Sequence, residues 1–107
     1  MTASPNLGEF EQLVLLAVLR ASPDATAIVL RNVLRRGGRA VSRGALYKTL
    51  ERLEEKGLVT WRVSDSTPER GGIPRRSFEV TPDGVATLRH ARQTLLHFWS
   101  GLEEQLG

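Results

Sequence analysis

A single pair of β-type segments, in a chain otherwise patterned for helices, limits the fold more than any other feature of this sequence. Residues 58–63 and 76–80 are rich in aromatic and β-branched side chains, and Phe78 and Val80 alternate with polar neighbours. Their connection, residues 64–75, contains two prolines and two glycines and is too long for a tight turn. We therefore predict one β-hairpin with an exposed loop, or wing.

Two helices are predicted before the hairpin from helix-terminal residues and apolar periodicity. The first covers residues 7–20, with Asn6 as its N-cap and Glu9 as the capping-box acid. Because it is apolar nearly all round, we expect the domain core to cover one side and a second subunit the other. The second helix is predicted to start at residues 22–24 and to end at Arg36, before two glycines.

A third helix is predicted between Ser42, a good N-cap, and Gly57, a good residue to follow a helix. Leu46, Leu50 and Leu53 form its buried stripe. Basic and small side chains occupy its first half and most of the acids its second half. This arrangement is typical of a helix that approaches a polyanion with its N-terminus.

A fourth helix is predicted from Thr81, followed by Pro82 and Asp83 in its first turn. Its apolar stripe continues at heptad-like spacing, which is typical of a helix that packs on a partner. We expect a dimer interface between this helix and the first one, formed by apolar side chains. These are Phe10, Leu15, Leu88, Leu95, Phe98, Trp99 and Leu102.

Basic side chains are concentrated in the middle of the chain. The whole chain carries a net charge of +3, but residues 31–76 carry +7 and the remainder −4. From Arg31 to Lys48 there are six basic residues and no acidic one. This distribution favours a polyanionic partner, and its alternative is a well-solvated basic surface.

Several classes of protein find no support in the sequence. With no cysteine, a disulfide framework, a thiolate zinc site and a cysteine nucleophile are excluded. His90 and His97 have no carboxylate at ligand spacing, so we expect neither metal nor cofactor. The longest apolar run, residues 13–19, is far shorter than the roughly 18 residues of a membrane span. We expect a cytoplasmic protein that is not an enzyme and has no catalytic residues.

The order of these elements predicts a mostly α fold with a β-hairpin wing, namely a winged helix-turn-helix followed by a C-terminal dimerisation helix. The 107 residues suffice for one compact unit. We assign residues 1–81 to the DNA-binding domain and residues 82–107 to the dimerisation helix, which packs with the first helix. In such a fold the third helix enters the major groove and the wing lies along the backbone or minor groove.

The chain resembles the PadR family of bacterial transcriptional regulators, in its short branch with a single C-terminal helix. The motifs that carry the resemblance are LGEFE at 7–11, GALY at 44–47, LERLEEKGLV at 50–59, PERGG at 68–72 and TPDG at 81–84. The resemblance implies a homodimeric repressor that binds a palindromic promoter site on double-stranded DNA and is released by a small-molecule effector. It also implies dimerisation through the last helix and the first.

The chain departs from the family pattern at four positions. Thr26 and Ala27 stand where members often have an aromatic residue and a glycine. In the wing, Ile73 stands where a basic residue is common, and Ser77 where an aromatic residue often lies. The identity of the effector and the contacts of the wing therefore stay open.

The recognition surface is expected on the third helix. Arg and Lys side chains reach guanine O6 and N7 or phosphates, and Tyr donates to phosphates. Ser42 is first a helix cap and second a phosphate contact. The alternative for the tyrosine is a half-buried ring that packs the helix. The predicted set is Ser42, Arg43, Tyr47, Lys48 and Arg52.

The wing is expected to contact DNA through arginines, and glycines would let its tip approach a phosphate closely. Its candidates are Arg70, Gly71, Gly72, Arg75 and Arg76, and the alternative is a solvated loop.

A candidate pocket for a flat apolar or aromatic effector is formed by Leu15, Leu95 and Trp99. The alternative is that these side chains only pack the dimer core. For the whole chain, the alternative function is a winged helix that docks a protein partner. Basic clustering favours DNA, because protein interfaces are usually enriched in aromatic residues rather than charges of one sign.

Overall fold

The computed structural model describes residues 7–64 and 75–106. They form a mostly helical fold with one antiparallel hairpin, as predicted. The elements are α1 (Glu9–Ala21), α2 (Ala27–Arg36), α3 (Arg43–Glu55), β1 (Val59–Ser64), β2 (Arg75–Val80), α4 (Pro82–Trp99) and α5 (Glu103–Leu106).

The core lies where α1, α2 and α3 meet the hairpin. The predicted stripe of Leu46, Leu50 and Leu53 is confirmed, since each side chain is buried. Leu30 of α2 and Phe78 of β2 are buried in the same cluster. Each such side chain contributes about 1.5–3 kcal/mol of burial free energy, so the inner face of α3 is held along its whole length.

Two helix starts differ from the prediction. The capping acid of α1 is Glu11 rather than Glu9, since Glu11 Oε1 accepts a hydrogen bond from Gly8 N at 2.9 Å. Asn6 lies outside the described residues. The second helix begins at Ala27 and not at residues 22–24. There the carbonyls of the preceding segment accept hydrogen bonds from β2, which keeps that segment out of the helix.

The starts of α3 and α4 are confirmed as predicted. Ser42 Oγ accepts a hydrogen bond from Ala45 N at 3.1 Å, and Thr81 Oγ1 accepts one from Gly84 N at 3.0 Å. Thr81 also donates to Gly57 O at 2.7 Å, which joins the start of α4 to the end of α3.

The first turns of α4 pack on the body, and its outer half does not. Gly84 and Thr87 are buried, whereas every residue from 92 to 99 is exposed. Gly101, at φ +84°, separates the end of α4 from the short α5. The predicted single C-terminal helix is therefore interrupted at its end.

The prediction that Leu15 lies in a dimer interface and an effector pocket is wrong. Its side chain is fully buried within the protomer. The reason is that α1 is contacted by α2, α3, β2 and α4, so one chain covers most of its apolar circumference. Only Leu16 and Leu19 of α1 remain as large exposed apolar side chains.

Candidate nucleic-acid interface

The exposed face of α3 carries the predicted recognition residues. Ser42, Arg43, Lys48 and Arg52 are exposed, and Tyr47 is half-buried. The Arg43 guanidinium lies over the Tyr47 ring, 5.9 Å from its centroid. Tyr47 therefore packs against the core cluster, as a half-buried ring would, and also reaches the surface, as a contact residue would.

An open groove of about 650 Å³ lies between the start of α2, α3 and the base of the wing. We call it the arginine groove. Within the described ranges no acidic side chain lines it. Its lining residues are Thr26, Ala27, Ile28, Arg31, Arg43, Tyr47, Arg75 and Arg76.

Two of the arginines in this groove are positioned by neighbours. Arg31 Nε donates to the carbonyl of Val41 at 3.1 Å, which ties α2 to the segment before α3. The Arg76 guanidinium lies 4.4 Å from the centroid of the Trp61 ring. A cation held over an aromatic face gains about 0.5–1 kcal/mol at an exposed site, which restrains the side chain.

A smaller groove of about 330 Å³ flanks the other side of α3. Lys48 and Arg52 line it together with Phe10 and Arg39. Arg39 pairs with Glu9 at 2.7 Å and lies 5.7 Å from the centroid of the Phe10 ring. Phe10 thus lies beside α3 and packs on the protomer core, and its predicted role in a dimer interface stays a prediction.

An ion pair between a buried carboxylate and a more exposed ammonium group joins the start of α1 to the end of α3. Lys56 Nζ donates to both oxygens of Glu11, at 3.0 and 2.8 Å, and Glu11 is only 8% exposed. Burial by itself would raise the pKa of Glu11, but hydrogen bonds from Lys56 and Gly8 N and the nearby cations hold that pKa below its ordinary value. Glu11 therefore stays ionised and fixes α3 against α1.

The base of the wing is also fixed to α3. Trp61 Nε1 donates to Glu54 Oε2 at 3.0 Å, and Arg62 pairs with Glu79 at 3.5 Å across the hairpin. The predicted wing residues Arg70, Gly71 and Gly72 lie outside the described residues.

The arginine groove also contains residues that were not predicted as contacts, namely Thr26, Ala27, Ile28 and Arg31. The sequence signalled only one of them, because Arg31 begins the basic run. The other three lie at the start of α2, where hydrogen bonds from β2 hold the preceding segment.

The sequence profile of the transcriptional regulator PadR-like family matches residues 15–90. That stretch covers the second half of α1, all of α2 and α3, the hairpin and half of α4. The chain belongs to the PadR-like family of transcriptional regulators. No curated protein sequence matches it.

Solved PadR structures share the fold of this PadR-like chain. A PadR family regulator from Eggerthella lenta is 24% identical, with a TM-score of 0.70 over 92% of this chain and 86% of that one. A PadR-like transcription factor from Bacteroides fragilis is 25% identical, with a TM-score of 0.67 over 91% and 85%. A PadR family regulator from Clostridium difficile is 20% identical, with a TM-score of 0.74 over 94% and 100%.

A second surface of this PadR-like chain is apolar and faces solvent. Leu95 and Trp99 are each 53% exposed, and Phe98 is 71% exposed. Leu88 is half-buried against the core cluster. We call the large exposed apolar side chains of α1 and of the C-terminal region the apolar surface. They are Leu16, Leu19, Leu95, Leu96, Phe98, Trp99, Leu102 and Leu106.

The described part of the chain also bears on metal binding and on membrane insertion. No cluster of three or more His, Cys, Asp or Glu side chains there is arranged to hold a metal ion. None of the described helices is both long and apolar enough to cross a membrane.

Proposed function

We propose that this PadR-like chain is a transcriptional repressor that binds a palindromic promoter site as a homodimer, with α3 in the major groove of each half-site. The observation that carries the proposal is the concentration of cationic side chains in the two grooves beside α3. Seven cationic side chains line these grooves and form a cationic face, and no described acidic side chain lines either groove. They are Arg31, Arg39, Arg43, Lys48, Arg52, Arg75 and Arg76.

In the proposal, α3 and the base of the wing contact different parts of the DNA. Arg43, Lys48 and Arg52 project from α3 and reach base edges or phosphates of the major groove. Arg75 and Arg76 stand at the base of the wing and reach the adjacent backbone. Residues 1–81 carry these contacts, and residues 82–107 carry dimerisation.

The apolar surface supports the homodimer. Eight large apolar side chains are exposed on α1 and the C-terminal region, six of them within residues 95–106, and exposed apolar clusters mark protein–protein interaction sites. A two-fold dimer presents two copies of α3, and a palindromic site presents two matching half-sites. To enter successive major grooves, the two copies need to lie about 34–36 Å apart.

The same surface is the proposed site of effector action. A small apolar or aromatic effector bound beside Leu95 and Trp99 would favour a dimer with a different spacing of its α3 helices. Operator affinity would then fall by population shift. A fluorescence titration of the native tryptophans, repeated with operator present, measures this coupling. Equal operator affinity with and without a bound effector would contradict this part of the proposal.

Fluorescence anisotropy with DNA from the gene's own upstream region tests the function, with scrambled DNA as the control. We expect tight binding that prefers the native site. If 6–10 phosphates are contacted, the affinity falls by roughly 10³–10⁵ between about 50 and 200 mM salt. Weak binding to both DNAs, with little salt dependence, would contradict a DNA regulator and favour a protein-docking winged helix.

A further inference from the structure

The first turn of α2 opens onto the arginine groove. Its first intrahelical hydrogen bond runs from Leu30 N to Thr26 O at 2.9 Å. The N–H groups of Ala27, Ile28 and Val29 therefore have no partner within the helix, and no other described group accepts from them. Ala27 and Ile28 line the groove, and the helix N-terminus adds a partial positive charge there.

Thr26 provides an independent observation at the same place. The residue is only 8% exposed, yet its hydroxyl does not cap its own helix and forms no hydrogen bond to any described residue. None of the fully enclosed side-chain N and O atoms in the described ranges lacks a partner. The Thr26 hydroxyl consequently keeps access to solvent, and Thr26 lines the arginine groove.

The backbone before Thr26 is fixed to β2. Phe78 N donates to Ala25 O at 3.0 Å, and Ser77 Oγ donates to Pro23 O at 2.8 Å. Ser77 and Phe78 are both buried. This anchoring holds the N-terminus of α2 and the start of β2 in one groove, so the site is formed before any ligand arrives.

We propose that the N-terminus of α2 binds a phosphate group, with the Thr26 hydroxyl and the N–H groups of Ala27 and Ile28 as donors. A phosphate oxygen accepts these three hydrogen bonds, and the guanidinium groups of the groove supply the balancing charge. The phosphate is either a phosphodiester of bound DNA, in which case the inference rests on the proposed function, or a free phosphate that competes with DNA.

The first test follows the backbone amide resonances of the DNA-free protein during titration with inorganic phosphate, with chloride at equal ionic strength as the reference. We expect the Ala27 and Ile28 resonances to shift and saturate with phosphate. Thr26→Val keeps the shape and the extended backbone but removes the hydroxyl, and should weaken phosphate binding about tenfold. Thr26→Ser should restore it, and Thr60→Val, an exposed threonine of β1, should have no effect.

A second variant tests the backbone donors. Ala27→Pro removes the Ala27 N–H at the first helical position, where proline is well tolerated, and the extended Thr26 suits a residue before proline. Unchanged far-UV circular dichroism would show that α2 persists. We expect phosphate binding to weaken by a similar factor.

Operator DNA separates the two sources of phosphate. If the ligand is a DNA phosphodiester, Thr26→Val and Ala27→Pro each weaken operator binding about tenfold per protomer, while Thr26→Ser and Thr60→Val bind as the unmodified chain does. If the ligand is free phosphate, phosphate displaces operator DNA more strongly than chloride at equal ionic strength.

The possible failures are distinguishable. Saturating phosphate shifts at Ala27 without any preference for operator DNA would contradict the regulator function and leave the phosphate site standing. Specific operator binding by the unmodified chain, with Thr26→Val and Ala27→Pro matching it in both titrations, would overturn the phosphate site alone.

Discussion

Helices α3 and α4 both expose a long face to solvent, but the protomer holds them in different ways. The inner face of α3 is buried along its length, and its end is fixed by the Glu11–Lys56 pair. The first turns of α4 are buried, whereas residues 92–99 contact little of the protomer. The first half of α3 exposes Arg43 and Lys48 and no acid, and the outer half of α4 exposes leucines and aromatic rings.

The two faces suit different partners. A cationic face is well hydrated and stable in water until a polyanion displaces its counterions. An exposed apolar face gains free energy only when another apolar surface covers it, at about 25 cal/mol per Å². The rigid helix therefore suits the recognition of DNA, and the helix without intramolecular cover suits a second copy of the chain.

The largest effect is expected from placing a charge on the outer half of α4. Leu95→Glu retains helix propensity but puts a carboxylate into the proposed apolar interface, so the dimer dissociation constant should rise at least about 100-fold. Sedimentation velocity measures the mass. Gln93→Glu, an exposed change on the same helix, is the control. A Leu95→Glu chain that remains dimeric would contradict the claim that the outer half of α4, unlike α3, binds a second copy of the chain.

The attachment of α4 to the body is tested by Gly84→Ala. A Cβ at Gly84 would meet the carbonyl oxygen of Leu58 and lie 2.6 Å from Val80 Cγ1, and a backbone carbonyl has little freedom to move. We expect a loss near the upper end of about 1–3 kcal/mol in the free energy of unfolding.

A matched control comes from the glycine of α3. Gly44→Ala meets nothing within 4 Å and should stabilise the helix by about 0.5–1 kcal/mol. Urea denaturation measures both variants. Equal effects at the two glycines would contradict the close packing of the first turn of α4.

The cationic face is tested by Lys48→Ala. Because Lys48 is exposed, its removal should leave the stability of the fold unchanged. Operator affinity should fall by about 1–3 kcal/mol if the ammonium group reads a base. Anisotropy titrations measure this, with Glu55→Ala at the far end of α3 as the control. Unchanged operator affinity would remove Lys48 from the recognition surface.

The smallest effect is expected at the link between α1 and α3. Glu11→Gln keeps an acceptor for Gly8 N but removes the charge that pairs with Lys56. Because the Lys56 side chain is 31% exposed, solvent screens part of the loss, and we expect about 1 kcal/mol near pH 7.

The effect of Glu11→Gln should depend on pH. The folded-state pKa of Glu11 lies below its ordinary value of 4.5, so its stabilisation is complete above that value and is lost as pH falls through the folded pKa. Urea denaturation at about pH 7 and about pH 3 tests this. A variant that is equally destabilised at both pH values would contradict the ionic origin.

The parts of the fold that local chemistry decides were predictable. Ser42 and Thr81 cap their helices through their own side chains, and the leucine stripe of α3 follows from helical spacing. The start of α2 was not predictable, because hydrogen bonds from β2, more than fifty residues away, hold the segment before Thr26. Leu15 was misplaced because the cover of α1 depends on how later elements pack.

Only the part of the candidate site that lies on a single helix could be predicted from the sequence. Arg43 and Lys48 follow from the pattern of α3 alone. The arginine groove combines three separate segments, and Thr26 acquires its position only when α2, α3 and β2 meet. No periodic pattern in the sequence indicates that these three elements pack together.

The central claim is that α3 binds DNA while the outer half of α4 binds a second copy. The most direct measurement is the mass of the complex with a palindromic operator duplex, by native mass spectrometry, for the unmodified chain and for Leu95→Glu. The account predicts two chains on one duplex for the first, and weak binding of single chains for the second. Single chains bound with equal affinity in both cases would contradict it.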